Sequence, residues 1–260
     1  MQYTIKQKPE QGGSARPGKR LEDSTMDYNN YDRGYAEPSM NASDYMTRTY
    51  RWMAGGLLVT FAMAYITATT PLIYLVDSLY FLLTIAELAL VFMLSARVQR
   101  MSIDGARAAF FGYAILNGMV LSYYFLLFSV GTLVMAFLAT AVYFGLMAVY
   151  GTTTHKDLTG WGPRLMMALM AMIVTSLVGA LFGFGFGASV LYCGIGLVVF
   201  MLLTAYDTQK LRQIYAYYAG DAEMAEKASI YGALTLYLDF INIFLYVVRL
   251  LGMNSRSRNN

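Results

Sequence analysis

Seven apolar runs, each about 18 to 24 residues long, dominate this chain, and each could carry a helix across roughly 30 Å of hydrocarbon. They occupy approximately residues 52–70, 79–97, 107–128, 132–151, 164–184, 188–207 and 230–251. No β-barrel pattern of short alternating strands accompanies them. The composition agrees: the chain is 57% hydrophobic and only 13% charged, about half the charged fraction usual in a soluble domain. The mean hydropathy is +0.46. The expected fold class is an all-α polytopic membrane protein.

Three regions follow. Residues 1–47 are polar and are expected to form a mobile N-terminal tail. Tyr28, Tyr31 and Tyr35 in that tail could bind a partner, although a solvated leader is the simpler reading. Residues 48–254 form the expected seven-helix transmembrane domain, and 255–260 a short C-terminal tail. The first fifty residues lack an apolar signal-peptide core, so the first span is expected to serve as the insertion signal. One cysteine, Cys193, and one histidine, His155, leave no basis for a disulfide framework or a zinc or iron site. No cofactor and no nucleic-acid partner is expected.

Lysine and arginine alternate along the connections. The tail holds Lys6, Lys8, Arg16, Lys19, Arg20, Arg33, Arg48 and Arg51. Arg97, Arg100 and Arg107 flank the second connection, Lys156 and Arg164 the fourth, and Lys210, Arg212 and Lys227 the sixth. The first, third and fifth have none. That alternation puts the N-terminus and the even-numbered connections in the cytoplasm. Seven crossings then leave Arg249, Arg256 and Arg258 outside, against the same rule. Either the last segment crosses despite its arginines or it re-enters; crossing is the expectation.

The apolar runs hold three ionisable groups of interest: Glu87, Asp207 and Asp239. Charges at membrane depth are costly and mark functional candidates, each needing a partner. Asp239 lies near the middle of Ala233–Gly252. At 100° per residue, Gly232, Thr235, Asp239, Asn242, Tyr246 and Arg249 fall within an arc of about 100°. The whole length of the last helix therefore carries one polar stripe, aimed at a water-accessible path or a polar core. Asp207 could be an interfacial acid paired with Lys210 one turn on. Glu87 could line the same path as Asp239 or bond a hydroxyl such as Thr84. If two carboxylates from different helices meet in a poorly hydrated site, they share a proton, and once charged they suit Ca²⁺.

Other signals are weaker. Gly183–Gly187, "GFGFG", superficially matches a phosphate loop, but no strand precedes it and no lysine follows. A glycine turn, or close helix packing through Gly179 and Gly183, is the better reading. Met166, Met167, Met170 and Met172 read as packing or lipid-facing residues, because supporting Cys and His are missing. His155 reads as a solvated loop residue, and Asp221, Glu223 and Glu226 as an exposed acidic connection.

Two stretches bring a family into view. "AYDTQKL", Ala205–Leu211, followed by "GALTLYLDFINIFLYVVRLLG", Gly232–Gly252, resembles the Bax inhibitor-1 (TMBIM) family. "YGTTTHKDLTGWG", Tyr150–Gly162, is similar to the matching connection in its bacterial inner-membrane members. The resemblance runs from about residue 45 to the end. It implies seven transmembrane helices, with the last helix central and wrapped by the other six. It also implies a pH-sensitive calcium leak whose two-aspartate sensor maps onto Asp207 and Asp239, with Arg97 as a candidate latch and Glu87 matching a family acid. Suppression of cell death, from which the family takes its name, is not carried over to a bacterial-looking chain.

The function expected is thus a passive, proton-gated cation pathway in a bacterial inner membrane. Its partners would be calcium ions, protons and the lipid bilayer. Asp207 and Asp239 would form the gate and a transient calcium site, and Glu87, Thr235, Asn242 and Tyr246 would line the path. A non-transporting scaffold that regulates other membrane proteins is the alternative. Intramembrane aspartyl proteolysis is disfavoured: those proteases carry Gly-x-Gly-Asp at the second acid, whereas Leu236-Tyr237-Leu238 precedes Asp239. No enzymatic activity is expected.

Overall fold

A computed structural model describes residues 41–182 and 189–258, and within these the chain is helical with no strand. The helices are α1 (Ala42–Thr69), α2 (Leu72–Arg97), α3 (Ile103–Leu127), α4 (Val130–Thr153), α5 (Gly162–Phe182), α6 (Val190–Tyr218) and α7 (Ala222–Arg258). Among the described residues six of them, all but α5, are long and apolar enough to cross a membrane. The tail tyrosines and Gly183–Gly187 lie outside the described residues.

Several helices outrun the apolar stretches that announce them. α1 begins at Ala42, inside the stretch assigned to the tail, because the Asn41 side chain accepts the Asp44 N–H at 2.8 Å and caps it. α2 begins directly after Pro71, so Asp77, which precedes the second apolar run, sits inside the helix, where it accepts the Tyr123 hydroxyl at 2.6 Å. α6 continues to Tyr218, and α7 starts eight residues ahead of the apolar run, with Asp221 accepting the Met224 N–H at 3.0 Å. It also runs on through 255–258, inside the expected C-terminal tail. Hydropathy marks where a helix meets hydrocarbon; the hydrogen-bond ladder ends only at a cap or a breaker.

The sixth connection is therefore three residues long, and its acids are not all exposed. Glu226 is 5% exposed and joins three helices, pairing with Arg48 of α1 and with Arg107 of α3 at 2.8 Å. Its neighbour Lys227 is also buried and pairs with Glu223 at 2.7 Å. The acidic composition reads as solvated only while the partners, which are 178 and 119 residues away, are out of view.

α7 is the most deeply enclosed span: 61% of its apolar window is buried, against 6% for α2. It packs against α1, α3, α4 and α6. The Thr60 hydroxyl of α1 donates to Ala114 O at 2.9 Å and meets the Tyr237 phenol of α7 at 2.6 Å, tying three helices at one point. α1 and α3 approach closely at Gly118, where a Cβ would stand 2.5 Å from Thr60 O. Any larger residue would separate the two backbones. Large apolar side chains such as Leu58, Phe81 and Phe92 point outward, as a lipid-facing surface requires. Met166, Met167 and Met170 join that surface, whereas Met172 is buried, and His155 is exposed in its loop.

α7 is a single unbroken helix. It passes from the N-terminal end of α3, where Glu226 meets Arg107, to the C-terminal end of α3, where Arg249 meets Tyr124.

Candidate functional site

A cavity of about 600 Å³ opens between α2, α3, α5, α6 and α7. Glu87, Asp207 and Asp239, the three acids singled out in the apolar runs, all line it. So do Thr235, Asn242, Tyr246 and Arg249, which makes the cavity the destination of the polar stripe on α7. From Thr235 to Arg249 the stripe advances about 21 Å along the helix axis. Gly232 is the exception, turned toward Leu211 and Thr49.

Asp239 is 4% exposed, and its Oδ2 is buried without a hydrogen-bond partner. Asp207, on α6, lies within electrostatic range of it. Lys210 also acts on Asp207 through its charge but forms no ion pair with it; its ammonium sits 5.7 Å from the Tyr206 ring centroid instead. The i,i+3 pairing read from spacing is therefore replaced by a cation–π contact. Thr204, one turn before Asp207, places its side chain beside Asp239.

Glu87 is held from α3. The Asn117 amide and the Tyr113 hydroxyl, the latter at 3.3 Å, both donate to its Oε1. Thr84, the partner suggested by proximity in sequence, donates to Tyr80 O of its own helix at 2.9 Å. In the sequence Asn117 and Tyr113 are lone polar groups in an apolar run, and the asparagine amid "YAILNGMV" is the one signal of their role. Asn242 and Thr235 turn their donors to their own helix, bonding Leu238 O at 2.8 Å and Tyr231 O at 3.1 Å.

Arg97 is not brought to the acid pair. It is exposed in the last turn of α2 and is not among the residues lining the cavity. Ten residues after Glu87, it is rotated about 80° off that residue's face. The cation that does line the cavity is Arg249. It donates to the Tyr124 hydroxyl from Nε at 3.3 Å and Nη2 at 3.0 Å and sits 5.8 Å from the Tyr246 ring centroid. The ring of Tyr246 lies against Gly196 of α6, where a Cβ would overlap it.

The fold and site define a polytopic α-helical membrane protein with an acid-lined cavity beside its most buried helix. Residues 42–256 match the family described as "Inhibitor of apoptosis-promoting Bax1", and the chain belongs to this Bax inhibitor-1 family. It is 44% identical over 210 residues to a protein of Deinococcus radiodurans, covering 79% of this chain and 89% of that one. It is 40% identical over 224 residues to the inner membrane protein YbhL of Escherichia coli, covering 83% and 94%. It is 32% identical over 241 residues to YrjE of Lactococcus lactis, covering 90% and 100%. Among the described residues no group of three or more His, Cys, Asp or Glu side chains forms a metal cluster.

Proposed function

We propose that the chain crosses the bacterial inner membrane seven times, with α7 central and the other helices around it, and provides a passive, proton-controlled pathway for cations, calcium foremost. The N-terminus and even-numbered connections face the cytoplasm, as their lysines and arginines favour. The protein works without enzymatic chemistry and without a cofactor. The relative named as an inner membrane protein supports the location.

The observation that carries this reading is the gathering of Asp207, Asp239 and Glu87 around one cavity together with the neutral oxygens of Thr235, Asn242 and Tyr246. Like charges in a poorly hydrated space do not ionise independently, so Asp207 and Asp239 hold one proton between them under acidic conditions. With that proton gone, the two carboxylates repel each other and offer hard oxygen ligands to a divalent ion. Two carboxylates and a few neutral oxygens bind calcium weakly enough for it to leave, a condition for conduction.

The test is calcium entry into liposomes holding the purified protein, measured across a pH series. Loss of the pH response in Asp207→Asn and in Asp239→Asn is expected; an unchanged response in both removes the gate. No flux from intact protein, together with co-purification of a membrane partner, would instead favour the scaffold role.

A further inference from the structure

Arg249 lines the same cavity as the three acids. Among the described residues it has no ion-pair partner; a phenol holds it on one side and an aromatic ring lies beneath it on another. The next charged group along α7 within the cavity is Asp239, ten residues and about 15 Å away along the axis. Retaining a guanidinium at such a position is unfavourable without a compensating carboxylate. An apolar residue would serve packing better.

A fixed positive charge beside a narrow, poorly hydrated path repels cations, and it repels a divalent ion twice as strongly as a monovalent one. Pores that exclude cations use such an arginine. We propose that Arg249, clasped by Tyr124 and Tyr246, is an electrostatic barrier at the end of the cavity remote from Glu226, and that it sets which cation valence passes and how fast. The inference rests on the cation-pathway reading. Asp239 and Glu87 draw cations in, and Arg249 limits their exit. Tyr124 makes the barrier positional: its hydroxyl holds the guanidinium beside the path without cancelling the charge.

The experiment compares calcium and potassium flux in liposomes for the intact protein, Arg249→Gln and Arg249→Lys, with helix content and monodispersity checked first. Arg249→Gln is expected to raise the calcium-to-potassium flux ratio about tenfold, the scale of removing one charge from a partly hydrated site. Arg249→Lys is expected to keep the ratio within about twofold of the original, because the charge stays. Should Arg249→Gln fail to fold, Tyr124→Phe decides: a freed guanidinium swings aside and the ratio rises, whereas an unchanged ratio overturns the barrier. Flux in the intact protein with the same ratio in Arg249→Gln overturns the barrier and leaves the pathway standing. Silence in the intact protein with flux in Arg249→Gln supports the barrier, and silence in both removes barrier and pathway together.

Discussion

The Thr60 hydroxyl and the Tyr237 phenol lie 2.6 Å apart, joining α1 to the middle of α7 where both side chains are fully buried. Tyr237 also meets Phe110 and Tyr113 edge-on at ring-centroid distances of 5.8 Å. Tyr237→Phe keeps those rings in contact, and Thr60 retains its bond to Ala114, so the expected loss is about 1 kcal/mol. Tyr237→Ala opens a cavity under three helices and is expected to cost about 3–5 kcal/mol. Thermal unfolding in detergent checks the order; equal losses would mean the ring contributes nothing beyond its hydroxyl.

Glu226 gives a second expectation. Glu226→Gln leaves Arg48 without its acid, while Arg107 keeps Asp104 at 3.1 Å. The arginines are partly exposed, with 47% and 37% side-chain exposure, so solvent screens much of the loss. The expected cost is about 1–2 kcal/mol, and it should shrink as salt is added. A loss indifferent to salt would assign Glu226 to packing rather than to charge.

Gly118 marks a close approach of α1 to α3. Gly118→Ala must displace Thr60 or Met63, whose Cβ would stand 2.8 Å from the new one. The expected destabilisation is about 1–3 kcal/mol. Gly112, on the same helix with nothing within 4 Å of a Cβ, is the control, and Gly112→Ala is expected to be neutral or slightly stabilising.

The connection between α4 and α5 has its own pH dependence. The Thr159 side chain and its N–H, the latter at 2.8 Å, both favour the charged form of Asp157 and hold its carboxyl below the usual aspartate range. A lowered value in the folded chain means the bond is fully present above about pH 4 and is lost as pH falls through the lowered value. Amide exchange at Thr159 is therefore expected to lose protection on acidification, and Asp157→Ala should show that loss at neutral pH. Protection unchanged in the variant would assign it to the surrounding turn.

What the amino-acid sequence made legible follows from what each kind of signal measures. Long apolar runs locate the helices, and the period of α7 predicts the face that lines the cavity, because both are properties of consecutive residues. The partners of the buried acids are different in kind. Asn117 and Tyr113 reach Glu87 from a helix 30 and 26 residues away, and Glu226 meets arginines from two others. Nothing local distinguishes a buried glutamate with distant cations from a solvated one. The extra turns at the start of α1 and α7 were hidden for a related reason: they are polar helix held by caps and ion pairs rather than by hydrocarbon.

α7 spans 37 residues without interruption, a rod of about 55 Å against roughly 30 Å of hydrocarbon. It bears the Arg48–Glu226–Arg107 clasp near one end, Asp239 inside and Arg249 toward the other. A stiff shaft transmits displacement along its axis, so any shift of α7 at Asp239 would carry the clasp and the guanidinium with it. Clasp, acid and guanidinium thus share one continuous helix, and a substitution at either end is expected to be felt at the other.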